Sequence, residues 1–67
     1  MSIAKVTEII SSSTVGIEDA VKSGVARASK TLHGITGVWV SDIKCTVNDN
    51  AVTEWRCTLK ITFVLKD

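Results

Sequence analysis

The chain has 67 residues and a mass of 7.2 kDa, which predicts one domain over residues 1–67 whose core is marginal for folding alone. Two cysteines and one histidine are too few for a disulfide framework or a closed zinc site, so partner subunits are the expected source of stability. Eight basic and seven acidic residues form no basic block for a nucleic acid, and no apolar run approaches the roughly 20 residues of a membrane-spanning helix.

The first predicted element is a strand. Residues 3–10 are rich in β-branched side chains and are followed by three serines, a pattern that predicts a strand over 3–10 and a turn at 11–13. Ser13 or Thr14 is then placed to cap a helix, because a hydroxyl oxygen can accept a hydrogen bond from a free amide of the first turn.

The second element is a helix that begins near Ile17. Apolar and small side chains recur there at steps of three and four, which is the spacing of one helical face. The residues of this face are Ile17, Ala20, Val21, Gly24, Val25, Ala28 and Leu32. Its small-residue row, Ala20, Gly24 and Ala28, predicts a close approach of the helix to the sheet. The pair His33-Gly34 predicts the helix end, with Gly34 in the left-handed conformation.

Two further strands complete a β-α-β-β order and an α+β fold class. Residues 38–47 predict one strand with a bulge at Ser41-Asp42, and Asn48-Asp49-Asn50 predicts the hairpin turn that follows. The last strand alternates between an apolar and a polar side. The apolar side is Trp55, Cys57, Leu59, Ile61, Phe63 and Leu65, and the polar side is Glu54, Arg56, Thr58, Lys60 and Thr62.

No enzyme chemistry is predicted. His33 is the only histidine, and the sequence places no carboxylate to orient it as a base. Cys45 and Cys57 lie on neighbouring strands, where the turn sets Cys45 opposite Glu54, so both are predicted to be free and buried. The oxygens of Asn48-Asp49-Asn50 lack the remaining positions of an EF-hand loop. No catalytic residue or metal ligand is therefore assigned.

The two tryptophans are the residues most informative about a ligand. Trp55 lies on the apolar side of the last strand and is predicted to belong to the core. Trp39 follows Gly34 and Gly37 near the start of its strand, where three roles remain open: core, subunit interface, or stacking platform for a flat heterocycle.

The order and spacing of these elements resemble the dodecin family over essentially the whole chain. The segments that carry the resemblance are the opening Lys5-Val6-Thr7-Glu8-Ile9, the helix Ile17-Glu18-Asp19-Ala20-Val21 continuing to Ala26-Arg27-Ala28-Ser29-Lys30-Thr31-Leu32, and the closing Thr58-Leu59-Lys60-Ile61-Thr62-Phe63-Val64-Leu65. The resemblance implies a three-stranded antiparallel sheet curled around one helix and assembly into a hollow homododecamer. It also implies flavins stacked in pairs between tryptophans at subunit contacts, for storage rather than catalysis.

Two positions of the implied flavin site depart from the family pattern. Aligned from Thr31-Leu32, the family's flavin-stacking tryptophan falls on Gly37, and Trp39 comes two residues later on the same face of the strand. The family's flavin-contacting glutamine falls on Arg56, which lacks the donor and acceptor pair of an amide. The chain therefore resembles the branch with an altered or lost flavin site, some members of which bind calcium instead.

The expected function is storage or sequestration of a flavin, riboflavin or FMN, with Trp39, Arg56 and Gly37 as the cofactor-binding positions. The alternative is a structural or calcium-stabilised shell that binds no flavin. A hydrophobic content of 45% and a mean hydropathy of +0.26 exceed what one small core can hide, which favours a homo-oligomer. Free thiols and the lack of a leader-like segment predict a cytoplasmic location, with no nucleic acid or membrane partner.

Overall fold

The computed structural model describes residues 2–66, so the two end residues of the predicted 1–67 domain lie outside the described residues. Strand β1 spans Ile3–Ser13, helix α1 spans Ile17–Ala28, strand β2 spans Ile35–Asn48 and strand β3 spans Ala51–Leu65. The predicted β-α-β-β order is confirmed. Within residues 2–66, no helix is long and apolar enough to cross a membrane.

The three strands form one antiparallel sheet in the order β1-β3-β2. Strand β3 has 15 residues, against about 5–6 in a typical strand. Its length follows from its central place, because β3 pairs with β1 along one edge and with β2 along the other.

The serines that follow Ile10 continue β1 and do not form the predicted turn. Ser11 pairs with Cys57, and Ser13 pairs with Trp55. The turn predicted for residues 11–13 is therefore wrong. The reason is that β3 is long enough to offer each serine a backbone partner, and ladder hydrogen bonds outweigh the weak local preference of serine for turns.

The chain passes from β1 to α1 through a turn that Ser13 organises. Gly16 is the N-cap residue and makes no side-chain cap hydrogen bond, so the predicted caps Ser13 and Thr14 are wrong. The Ser13 hydroxyl oxygen instead accepts hydrogen bonds from the amides of Val15 at 2.9 Å and Gly16 at 3.3 Å. The same hydroxyl donates to Asp19 Oδ2 at 2.7 Å, which satisfies this buried group and fixes the helix entry.

The helix ends at Ala28, about one turn earlier than the periodicity indicated. The amides of Thr31 and Leu32 both donate to the Ala28 carbonyl oxygen, at 3.1 and 2.9 Å. The chain thus leaves the helix through a turn that still carries Leu32 onto the core. Gly34 has a φ of 76°, which confirms the predicted left-handed conformation.

The hairpin between β2 and β3 contains the predicted turn and the predicted bulge. Asp49 and Asn50 have φ values of 51° and 63°, the conformation that matches a two-residue turn to the twist of its strands. The pairing of β2 with β3 shifts between Val40 and Asp42, which confirms a bulge at Ser41.

A second bulge near the turn was not predicted. The pairing passes from Thr46–Glu54 to Val47–Val52, so the bulge shifts the neighbouring pairs by one residue. Cys45 consequently faces Trp55, and its expected pairing with Glu54 is wrong.

Both cysteines are free, as predicted, but only Cys57 is buried, whereas Cys45 is exposed. The predicted burial of Cys45 is wrong because α1 is too short to cover the sheet. Its 12 residues span about 18 Å, whereas the 15 residues of β3 span about 50 Å.

The core lies between α1 and the middle of β3. Its buried residues are Ala20, Ala28, Cys57, Leu59 and Ile61. A Cβ added at the buried Gly24 would lie 2.5 Å from Leu59 Cδ1, which confirms the close approach predicted from the small-residue row. Trp55, predicted to belong to the core, is only half-buried, because the buried stretch of β3 begins two residues after it.

Candidate functional site

The sheet face opposite α1 carries the three residues predicted to bind a cofactor. The pairs across β2 and β3 on this face are Gly37–Thr62, Trp39–Lys60, Asp42–Thr58 and Lys44–Arg56. Their neighbours on β1 are Val6, Glu8, Ile10 and Ser12. The pairing is regular from Gly37 to Trp39, so these two residues share one face, as the alternation predicted. The helix-free face is therefore largely polar along β2 and β3, with one aromatic ring at Trp39, and carries the exposed apolar residues Val6 and Ile10 on β1.

Trp39 is the aromatic ring of this face. Its side chain is 62% exposed, which excludes a role in the core of the subunit and leaves the interface and stacking roles open. The Lys60 ammonium nitrogen lies 4.7 Å from the centroid of the Trp39 ring. That distance falls within the range of a cation–π interaction.

Gly37 leaves open space beside Trp39. A Cβ built at Gly37 would meet no atom within 4 Å. Because the φ of Gly37 lies outside the left-handed region, its backbone can carry a side chain without strain. The position at which the family pattern has its stacking tryptophan is empty but sterically available.

Arg56 lies on the same face but apart from Trp39. It forms an ion pair with Glu54, with Nε 2.7 Å from Oε1, and faces Lys44 on β2. Arg56 comes four positions before Lys60 along β3, which corresponds to about 13 Å. The structure thus brings Gly37 and Trp39 together and leaves Arg56 apart from them.

Lys60 is the candidate that sequence reasoning did not assign to the site. The signal was present, because counting outward from the turn at Asp49 and Asn50 pairs residue 39 with residue 60. The bulge near the turn and the bulge at Ser41 shift the register in opposite directions, so this simple count gives the observed pair of Trp39 and Lys60.

The remaining chemical groups do not assemble into a second site within the described chain. His33 is exposed, and residues 2–66 contain no group of three His, Cys, Asp or Glu side chains that could hold a metal ion.

The sequence model of the dodecin family matches residues 3–66. The chain belongs to the dodecin family. It is similar to the dodecin from Thermus thermophilus, with 32% identity over 63 residues that cover 94% of this chain and 91% of the relative.

Solved dodecin structures have the same fold. An arginine-to-alanine variant of the T. thermophilus dodecin superimposes with a TM-score of 0.94 at 30% identity, with 100% of each chain covered. A calcium-chelating antigen of Mycobacterium tuberculosis, named a calcium dodecin, superimposes with a TM-score of 0.82 at 26% identity, with 97% of this chain and 93% of that chain covered. The family recognised from the sequence and the predicted three-stranded fold are confirmed, whereas the roles of Trp39, Arg56 and Gly37 stay predictions.

Proposed function

We propose that this dodecin chain is one domain that assembles into a hollow homododecamer, stores or sequesters riboflavin or FMN, and catalyses no reaction. The observation that carries the proposal is the exposed indole of Trp39 on the helix-free sheet face. A flat aromatic surface in water gains free energy when a flat ligand stacks on it. The family's general capacity for flavins supports this choice of ligand.

Assembly is supported by the apolar surface that one subunit leaves in water. Eleven large hydrophobic side chains are exposed in residues 2–66, among them Ile10 at 69%, Val47 at 64% and Val6 at 54%. Nine of them lie in the strands, on both faces of the sheet, where the single helix cannot cover them. So much exposed apolar surface on so small a chain is typical of a subunit that assembles.

We expect light scattering at micromolar concentration to give a mass about twelve times 7.2 kDa. Dilution into the nanomolar range should lower the thermal midpoint if folding and assembly are coupled. A folded monomer with a concentration-independent midpoint would contradict both the assembly and the argument from apolar surface.

Within the site, Trp39 is proposed to stack on the isoalloxazine ring and Arg56 to meet the ribityl phosphate of FMN. Arg56 remains open to a ligand because its ion pair with Glu54 lies at the surface, the two side chains being 55% and 30% exposed. Such a pair contributes at most about 1 kcal/mol, which a phosphate can replace with a charge-assisted bond. Gly37 supplies space but no second ring, so we expect weak binding.

A titration with riboflavin, followed by quenching of flavin and tryptophan emission, tests the stacking role. Trp39→Ala should weaken binding of riboflavin and FMN alike by about tenfold, because a stacked ring contributes about 1–3 kcal/mol. Trp55→Phe is the matched control, since Trp55 lies on the opposite face of the sheet, and it should leave both affinities unchanged. Tight binding that survives Trp39→Ala would refute the site.

Arg56→Gln separates the phosphate contact from the stack in the same titration. The loss of one charge-assisted bond should weaken the binding of FMN by about 1–3 kcal/mol and leave the binding of riboflavin unchanged. Equal losses for both ligands would show that Arg56 supports the fold and does not contact the phosphate.

The second candidate is a structural or calcium-stabilised shell without an organic ligand. It is supported by Gly37, which removes the family's stacking ring, and by the calcium dodecin among the similar structures. Failure of both flavins to bind, together with loss of the assembled mass on treatment with a calcium chelator, would favour this candidate over flavin storage.

A further inference from the structure

Lys60 occupies the centre of the helix-free face and has two different neighbours across the sheet. It pairs with Glu8 on β1 and with Trp39 on β2. Its ammonium nitrogen lies over the Trp39 ring, 4.7 Å from the centroid. The ion pairs within residues 2–66 join Lys22 to Glu18, Lys44 to Asp42 and Arg56 to Glu54, so no carboxylate of the described chain neutralises Lys60 at salt-bridge distance.

A ligand that stacks on this side of Trp39 must first displace the ammonium group from the ring. The lysine side chain is flexible, and its charge remains attached to the strand directly opposite Trp39. The displaced ammonium therefore stays within a few ångströms of the ligand's ring. Arg56, about 13 Å further along β3, is too far to act on the ring itself.

We propose that Lys60 selects the charge of the ligand ring at Trp39, favouring planar aromatic ligands with an anionic ring over neutral ones. This inference rests on the proposed stacking role of Trp39 and deepens it by naming the class of ligand. A neutral ring that stacks on Trp39 breaks the cation–π contact with Lys60 and gains no charge attraction in its place. An anionic ring replaces that contact with direct charge attraction.

The local charge above Trp39 can be measured on the assembled protein without any organic ligand. Trp55→Phe leaves Trp39 as the single emitting tryptophan, and its emission is quenched with iodide, caesium or neutral acrylamide at constant ionic strength. At 4.7 Å a unit charge in screened solvent should change an ion's local concentration about twofold. Lys60→Gln should therefore lower the iodide quenching constant about twofold, raise that of caesium, and leave that of acrylamide unchanged.

Lys44→Gln is the matched control, because Lys44 lies on the same face but opposite Arg56. It should leave all three quenching constants at Trp39 unchanged. The comparison of Lys60→Gln with the parent is repeated with Trp55 retained, so that the test does not depend on the Trp55→Phe background. Equal changes for all three quenchers, no change for either ion, or acrylamide that cannot reach Trp39 would each overturn the proposal.

Riboflavin and 8-hydroxyriboflavin, whose conjugated hydroxyl is ionised at neutral pH, test selection directly. They share the ribityl side chain and the three fused rings and differ at C8, where a methyl group is replaced by the oxygen that carries the negative charge. We expect 8-hydroxyriboflavin to bind several times more tightly, and Lys60→Gln to remove about a twofold part of that preference. A preference that Lys60→Gln leaves intact overturns the proposal but not flavin binding. If neither ligand binds while the ionic quenching responds as expected, flavin storage fails and the charge at Trp39 stands.

Discussion

Replacing Gly24 with leucine is expected to separate α1 from the sheet and to lower the thermal midpoint by about 4–24 °C. A Cβ at this position would already lie 2.5 Å from Leu59 Cδ1 and 3.0 Å from Ser11 Cβ. Leu59 is fully buried and has little room to move, so the three further carbons of a leucine must push the helix outward. Overpacking of this kind costs about 1–3 kcal/mol, and each kcal/mol corresponds to about 4–8 °C in a domain of this size.

The matched control is Ala26→Leu, which adds a leucine to the exposed side of the same helix. It should change the midpoint, measured by circular dichroism, by only a few degrees. Gly24→Ala should fall between the two, because a gain in helix propensity of about 1 kcal/mol partly offsets the clash. Equal midpoints for Gly24→Leu and Ala26→Leu would show that the helix does not pack on Leu59 as described. Light scattering on the same samples reports whether assembly is lost with packing.

The fold was predictable where the sequence pattern and the tertiary structure act on the same residues. The row of Ala20, Gly24 and Ala28 was recognisable because helical periodicity and the need for close approach coincide there. The turn at Asp49 and Asn50 was predictable because few residues tolerate positive φ. In both cases a local preference agrees with the tertiary packing.

The predictions failed where pairing or packing with β3, which is distant in the sequence, determines the structure. The serines of residues 11–13 favour a turn locally, yet β3 supplies their backbone partners. The exposure of Cys45 depends on how far α1 extends over the sheet. The sequence of the hairpin does not indicate that extent. Residue type predicted burial for Cys45, and the alternation of the last strand predicted it for Trp55, but the core covers only the middle of β3.

Part of the candidate site was predictable from the sequence. The shared face of Gly37 and Trp39 follows from the two-residue period of a strand. Predicting the contact between Trp39 and Lys60 requires the strand register across the hairpin. Two bulges shift that register in opposite directions, so their effects cancel at this pair. The separation of Arg56 from Trp39 is likewise known only from the strand pairing, because the sequence assigns both residues to one ligand without giving the distance between them.

Introducing the missing ring with Gly37→Trp is expected to tighten riboflavin binding by about tenfold to a hundredfold. The structure offers no obstacle, since a Cβ at Gly37 meets no atom within 4 Å. Tryptophan is also favoured over glycine in a strand, so stability should not fall. A stacked heterocycle contributes about 1–3 kcal/mol, and each 1.4 kcal/mol is about tenfold in affinity.

Two further variants show whether the new ring does the stacking. Gly37→Leu fills the same space without a flat ring and should give only a small gain, so an equal gain from leucine would assign the effect to apolar contact. In the background of Trp39→Ala, Gly37→Trp should keep most of its gain if the ligand stacks on position 37. Loss of the gain in that background would show that the new indole packs against Trp39, about 6–7 Å away along the strand, and not against the flavin. Fluorescence titrations with riboflavin on the parent, on the three single variants and on the double variant, each confirmed as assembled by light scattering, decide between these outcomes.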